Sequence, residues 1–264
     1  MASRSLRERA MSGETLLGSM VFEFFTPGIG QLLKLAGCEF IIYDMEHAGC
    51  SIEQLKAQCA YCRGLGVVPM VRVPRGEYHF IARALDVGAG GVMVPMVSSP
   101  EEAAQIVACA KYPPQGRRGA AFGFAHDDYS GGDVVQKVTA LNARTMVIAQ
   151  IETTEGLANV ERIAAVPGVD VLWIGHFDLT NFMGIPGQFK HPAFLAAIDR
   201  VVAACNASGK TAAFLTTDDD WVRDFAGKGF RLFAYGVDQS MLQQALGHGL
   251  GVLRAAVTAG TKAR

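Results

Sequence analysis

Eight short apolar runs punctuate the chain, at 15–21, 40–44, 67–72, 91–95, 146–151, 171–175, 211–215 and 231–235. Runs of this length, rich in β-branched residues and lacking polar alternation, suit strands buried on both faces. The longer segments between them carry apolar residues at helical spacing, such as Leu32, Leu33 and Leu35, or Ile81, Leu85 and Val87. Strand followed by helix, eight times over, predicts an α/β fold: a (β/α)₈ TIM barrel formed as a single domain over residues 1–264. A doubly wound sheet shares the alternation, but no G-x-G-x-x-G follows the first run. The glycines at 88–91 instead precede a strand, where they serve a tight turn.

Three segments depart from the alternation. The connection 113–145 is long, running through Pro113-Pro114, Arg117-Arg118-Gly119, His126-Asp127-Asp128 and Gly131-Gly132; loops of this length are usually functional or mobile. A Gly/Pro-rich excursion, Met183 to Pro192, follows the sixth strand. From Gln239 onward, Met241, Leu242, Ala245, Leu246 and Leu253 share one side of an extra C-terminal helix, which either packs on its own barrel or docks on a neighbouring subunit.

Composition narrows the function classes. Charge is balanced, with 24 Lys and Arg against 25 Asp and Glu, and no basic stripe alternates with aromatics, so nucleic acid is a poor partner. No apolar run approaches a membrane span. Arg4, Arg7 and Arg9 precede an apolar stretch interrupted by Glu14 and Glu23, too short and too charged for a secretory leader. The six cysteines are scattered, and Cys59-x-x-Cys62 lacks the second pair of a four-ligand zinc site. A cytoplasmic protein with reduced thiols is the expectation.

The candidate chemistry lies where strands end. Glu152 and Asp178 each follow a buried run, which suits hard-cation ligands such as Mg²⁺ or Mn²⁺; each could equally cap the helix that follows. Asp44 and His47 end the second strand, close enough for a carboxylate to orient an imidazole, although a plain surface turn has the same residues. Arg72 ends the third strand before Val73-Pro74, either to grip an anionic substrate or to pair with an acid of the same ring. Strand C-terminal ends converge on one barrel mouth. A metal, a proton-transfer group and an anion grip in one pocket suit chemistry beside a carbonyl of an anionic substrate, with an enolate stabilised as a proton is removed. A Schiff-base lysine is not expected: Lys210 and Lys228 precede the last two strands, at the opposite end, and the other lysines lie in helices, loops or the tail.

Taken in order, Asp44-x-Glu46-His47, Val71-Arg72, Val94-Pro95-Met96-Val97, Arg118-Gly119, Gln150-Ile151-Glu152-Thr153 and Ile174-Gly175-x-x-Asp178-Leu179 resemble the HpcH/HpaI aldolases, the metal-dependent class II pyruvate aldolases. The resemblance spans essentially the whole chain. It implies a barrel assembled as a hexamer, a trimer of dimers with the last helix swapped between paired subunits. It also implies Mg²⁺, Mn²⁺ or Co²⁺ on Glu152 and Asp178, and a substrate cleaved to pyruvate and an aldehyde. Arg72 would stabilise the keto oxygen, Gln150 line the site, and His47, held by Asp44, move a proton at the aldehyde oxygen. Backbone around Gly175, Phe177 and Asp178 would cradle the carboxylate. Where many relatives have Gly-Pro-Ala/Asn-Asp, this chain has Gly175-His176-Phe177-Asp178. Two rival readings are an acyl-CoA carbon–carbon lyase of the citrate-lyase β-subunit type, for which Arg117-Arg118 would have to grip phosphate, and a non-catalytic barrel subunit.

Overall fold

In the computed structural model, which describes residues 4–262, eight parallel strands close into a barrel in sequence order. They are β1 (Leu16–Val21), β2 (Phe40–Asp44), β3 (Val68–Arg72), β4 (Gly91–Val94), β5 (Met146–Ile151), β6 (Val171–Ile174), β7 (Thr211–Thr216) and β8 (Leu232–Val237). β1 pairs with β8 to complete the ring. Each strand lies within two residues of its expected run. Strands this hydrophobic are stable only with both faces covered, which barrel interior and outer helices together provide.

Period-two alternation divides the side chains between two cores. Phe40, Ile42, Met70, Met93, Met146, Ile148 and Trp173 fill the barrel, while Ile41, Tyr43, Val71, Val92, Val147 and Leu172 pack outward under the helices. Continued to the C-terminal ends, the inward parity reaches Asp44 after Ile42, Arg72 after Met70, and Gln150 and Glu152 after Ile148. The pattern that buries the core thus aims these polar groups into the mouth.

The first helix, Leu6–Met11, was not apparent from the sequence. Its Leu6 and Ala10 join the barrel-interior cluster at the base, and Arg7 Nε pairs with buried Asp170 at 2.9 Å. The connection 113–145 contains a helix, Val134–Arg144, capped by Asp133. The rest of it runs over the base and flank: Lys111 donates to the Asn142 and Thr145 carbonyls, Arg63 pairs with Asp128 at 2.8 Å, and Arg118 pairs with Asp86 at 2.6 Å. It does not border the mouth cavity. Leu32 and Leu35, expected on an apolar stripe, are largely exposed, and only Leu33 faces the core. The thiols of Cys59 and Cys62 are buried side by side, and burial raises both, as suits structural cysteines. Among the described residues, no helix is long and apolar enough to cross a membrane.

Candidate active site

One cavity of about 850 Å³ opens at the C-terminal ends of the strands, bordered by His47, Arg72, Gln150, Glu152, Gly175, Phe177 and Asp178. Of the expected site residues only Asp44 is set back from the wall; it is fully buried behind Arg72. Asp44 and Arg72 are direct register partners on β2 and β3, and Arg72 Nε donates to Asp44 Oδ1 at 2.5 Å. Arg72 Nη1 lies 3.1 Å from Glu46 Oε2, and its guanidinium sits 5.4 Å from the centre of the Phe22 ring. Arg72 is therefore both paired with acids and exposed to the cavity, so the two readings of this residue hold together. A guanidinium fixed from behind keeps its remaining donors in one direction.

The expected Asp44–His47 pairing takes a different form. Asp44 Oδ2 accepts the backbone N–H of His47 at 2.8 Å, not its imidazole. The His47 ring is more than half exposed, with Nε2 3.5 Å from Glu46 Oε2. Asp44 shapes the turn that carries His47, and Glu46 is the carboxylate nearest the ring. Glu46 belonged to a recognised motif, but spacing alone gave no reason to assign it a role.

Glu152 is almost completely buried. It does not cap the following helix: the Thr153 hydroxyl does so, accepting from Gly156 N at 2.9 Å. Its Oε1 accepts from Met96 N at 2.7 Å, and its Oε2 accepts from Gln150 Nε2. Met96 holds that N–H in place from a left-handed conformation (φ 59°), a strained choice for a non-glycine residue. Gly175 leaves the room: a Cβ there would run into Glu152 Oε2 and approach Gln150 Nε2 to 2.8 Å. Burial raises the Glu152 carboxyl to about 7; the Met96 and Gln150 donors oppose this, while nearby Glu46 and Asp178 push it further up. Glu46 is raised as well, chiefly by burial and against the pull of Arg72.

Among the described residues, no group of three or more His, Cys, Asp or Glu is gathered to hold a metal ion. The donor set nonetheless fits a hard divalent cation. Mg²⁺ commonly takes only one or two protein carboxylates and fills its other positions with water and substrate oxygens. Glu152 and Asp178 supply two carboxylates to the same cavity, and buried Gln150 Oε1 has no hydrogen-bond partner. Among the described residues, no cation hydrogen-bonds to Glu152, which is raised to about 7 chiefly by burial and further by nearby Glu46 and Asp178.

Several cavity residues were not foreseen: Phe22, Phe189, Trp221 and, behind them, Asp238. Asp238 is buried and accepts the backbone N–H groups of Phe22, Glu23 and Phe24 at 2.9, 3.0 and 2.7 Å, which fixes the rim above β1. Its position at the start of the last helix was the sole signal. Asp178 lies in the first turn of the helix His176–Phe182, where the exposed N–H groups favour negative charge. His176 is packed among aromatic rings, and burial lowers its imidazole to about 4, so it is neutral at pH 7. Lys190 is an exposed loop residue at the rim, and the buried Lys111 lies at the base. Arg118, proposed as a phosphate grip, is buried against Asp86 and Tyr112 away from the mouth.

Comparison with known proteins agrees with this architecture. Residues 24–245 match the HpcH/HpaI aldolase/citrate lyase family. A hydroxypyruvate/pyruvate aldolase from Roseobacter denitrificans is 34% identical over 241 residues, covering 90% of this chain and 92% of that protein. A 5-keto-4-deoxy-D-glucarate aldolase from Shigella dysenteriae is 33% identical, with 81% and 83% covered. The crystal structure of an HpcH/HpaI aldolase from Desulfitobacterium hafniense superposes with a TM-score of 0.91 at 28% identity, covering 96% of this chain and 97% of the other. The chain belongs to the HpcH/HpaI aldolase/citrate lyase family and by that homology is an aldolase.

Proposed function

We propose that this enzyme reversibly cleaves a 4-hydroxy-2-oxo acid to pyruvate and an aldehyde, with a divalent cation (Mg²⁺, Mn²⁺ or Co²⁺) on Glu152 and Asp178. The observation that carries the reading is the grouping of these two carboxylates with Arg72 and the unpartnered Gln150 Oε1 on one cavity. The pyruvate names of the Roseobacter and other relatives support pyruvate as the common half of the reaction. The cation would supply Lewis-acid stabilisation of negative charge at the keto oxygen.

The chain's own groups account for the remaining requirements. Arg72, braced by Asp44 and Glu46, donates to the keto oxygen as it gains charge. Amide groups around Gly175, Phe177 and Asp178 receive the substrate carboxylate. In the cleavage direction the C3–C4 bond breaks, its electron pair passes into the pyruvate enolate, and the C4 hydroxyl proton leaves as the aldehyde forms. His47, beside Glu46, takes that proton and returns it in the reverse direction. The enolate's methylene carbon then takes a proton from solvent, to which His47 releases the hydroxyl proton, giving pyruvate.

The C-terminal helix, Asp238–Lys262, supports an oligomer. Contacts to β1 and β8 tie it to the barrel, while Leu242, Leu246, Leu250 and Leu253 are exposed beyond them. In this reading the helix is exchanged with a paired subunit, and three such pairs form a hexamer. Light scattering on the wild type and on a Leu246→Asp, Leu250→Asp variant checks this, and an unchanged mass in the variant would remove the helix from the interface.

The test of the activity is deuterium exchange of the pyruvate methyl protons, followed by NMR. Exchange should be absent in chelated enzyme and appear with Mg²⁺, Mn²⁺ or Co²⁺. Exchange that ignores metal, or none with metal bound, contradicts the proposal.

A further inference from the structure

The cavity has two unlike walls. On the side of β2, β3 and β5 it presents His47, Arg72, Gln150 and Glu152. On the side of β6 and β7 it presents rings. His176 and Phe177 come from the helix His176–Phe182, Phe189 from the connection that follows it, and Trp221 from the helix Asp219–Ala226. Phe189 touches the other three: ring centres lie 5.3 Å from His176, 5.1 Å from Phe177 and 4.7 Å from Trp221, all near edge-to-face. Such packing gives each ring defined aromatic neighbours before anything binds. Phe177 remains 63% exposed, at the rim immediately before Asp178 in the chain.

The ring surfaces themselves offer little to a hydroxyl group. Asp218 Oδ1 serves as a cap, accepting from Asp220 N at 2.7 Å and Trp221 N at 3.3 Å. The polar side chains on this side of the cavity are Asp218, Thr217 and Gln188 at its edge and Lys190 at the rim. A polyhydroxylated aldehyde seated on the rings would exchange water for ring faces at every hydroxyl not turned toward Asp218, Thr217 or Gln188. An apolar substituent would instead cover Phe177 and gain contact with all three rings.

We infer that the acceptor is an aldehyde carrying an apolar, ring-sized substituent, seated on Phe177, Phe189 and Trp221 next to Asp178. The inference rests on the pyruvate-enolate reading above. In the synthetic direction the enolate carbon forms a bond to the aldehyde carbon while the C=O π bond opens. The aldehyde oxygen takes one proton, giving a 4-hydroxy-2-oxo acid whose C4 bears the apolar group.

The experiment measures kcat/KM for condensation of pyruvate with benzaldehyde, glycolaldehyde and succinic semialdehyde, in the Mn²⁺-loaded enzyme. Benzaldehyde should exceed glycolaldehyde by at least about tenfold, the scale on which a shaped apolar pocket discriminates. Phe189→Ala and Trp221→Leu should each remove most of that advantage while pyruvate methyl exchange continues at the wild-type rate. A wild-type preference for glycolaldehyde, or for succinic semialdehyde with its carboxylate drawn to Lys190, overturns the inference and leaves the enolate reading intact. Loss of the benzaldehyde preference in neither variant also overturns it. Absence of pyruvate exchange in the wild type overturns the enolate reading itself, and this inference with it.

Discussion

Two buried acids stand at opposite ends of the barrel, Glu152 just past the end of β5 and Asp170 just before the start of β6. Both are about 1% exposed, and burial pushes both carboxyls upward. Their neighbours differ in sign. Asp170 is held by Arg7 at 2.9 Å and by Val147 N at 2.9 Å, with Lys111 close enough to stabilise its charge. Glu152 accepts two neutral donors and faces two further acids, Glu46 and Asp178. Burial alone therefore does not mark a site. An acid held by cations is a structural brace, whereas an acid held only by neutral donors beside further acids fits the cation-binding role proposed for Glu152.

The sharpest break of this comparison exchanges each acid for its amide. Glu152→Gln should lower metal-dependent pyruvate exchange by at least about 10³-fold, on the scale of losing a principal electrostatic stabiliser, while the fold persists. Asp170→Asn should do the reverse, costing about 1–3 kcal/mol of stability by removing the carboxylate that faces Arg7 and Lys111, with the activity per folded molecule retained. Exchange rates and urea midpoints, measured on both variants, separate the two roles. Next in size, Arg72→Ala should reduce exchange by about 10²-fold; undiminished exchange would remove Arg72 from the chemistry.

Gly175→Ala sharpens the picture from the steric side. Its Cβ would displace the Glu152 carboxylate, so Mn²⁺ affinity should fall about tenfold, the equivalent of modest overpacking. Calorimetric titration reads that directly. The smallest effect concerns pH. In metal-free protein the Glu152 carboxyl is raised to about 7, so its contribution to stability is complete below its unfolded value near 4.5 and is lost as pH rises through 7. Chelated protein should therefore lose about 1–3 kcal/mol between pH 5 and pH 8 from this group. Added cation should oppose the loss and release a proton as it binds near pH 6.5. A metal affinity that weakens as pH rises from 6 to 8 would contradict this.

The barrel was legible because its strands are apolar on both faces, which leaves a continuous signal in sequence. The runs 40–44 and 146–151 coincide with β2 and β5. The positions of Glu152, Asp178 and Arg72 at the mouth were legible for a related reason, since residues at the C-terminal ends of barrel strands converge there. The course of the 113–145 connection was open to topology: a segment that follows a helix and precedes a strand belongs at the strands' N-terminal end. Its length suggested function, yet its position puts it at the base and flank.

Other features depended on tertiary contact. Asp44 sits three residues before His47 in sequence, but its register partner across the sheet is Arg72, and that contact takes the carboxylate. The aromatic wall draws Phe177, Phe189 and Trp221 from separate segments, so no spacing reveals it. Leu32 and Leu35 kept helical spacing, but their side of the helix faces away from the barrel.

The most direct measurement is Mn²⁺ binding followed by electron paramagnetic resonance in wild type, Glu152→Gln and Asp170→Asn. The wild type and Asp170→Asn should bind one ion alike, and Glu152→Gln should bind at least about tenfold more weakly, as expected when a carboxylate ligand is replaced by an amide. Equal binding in Glu152→Gln, or loss confined to Asp170→Asn, would contradict the assignment of the cation to the mouth.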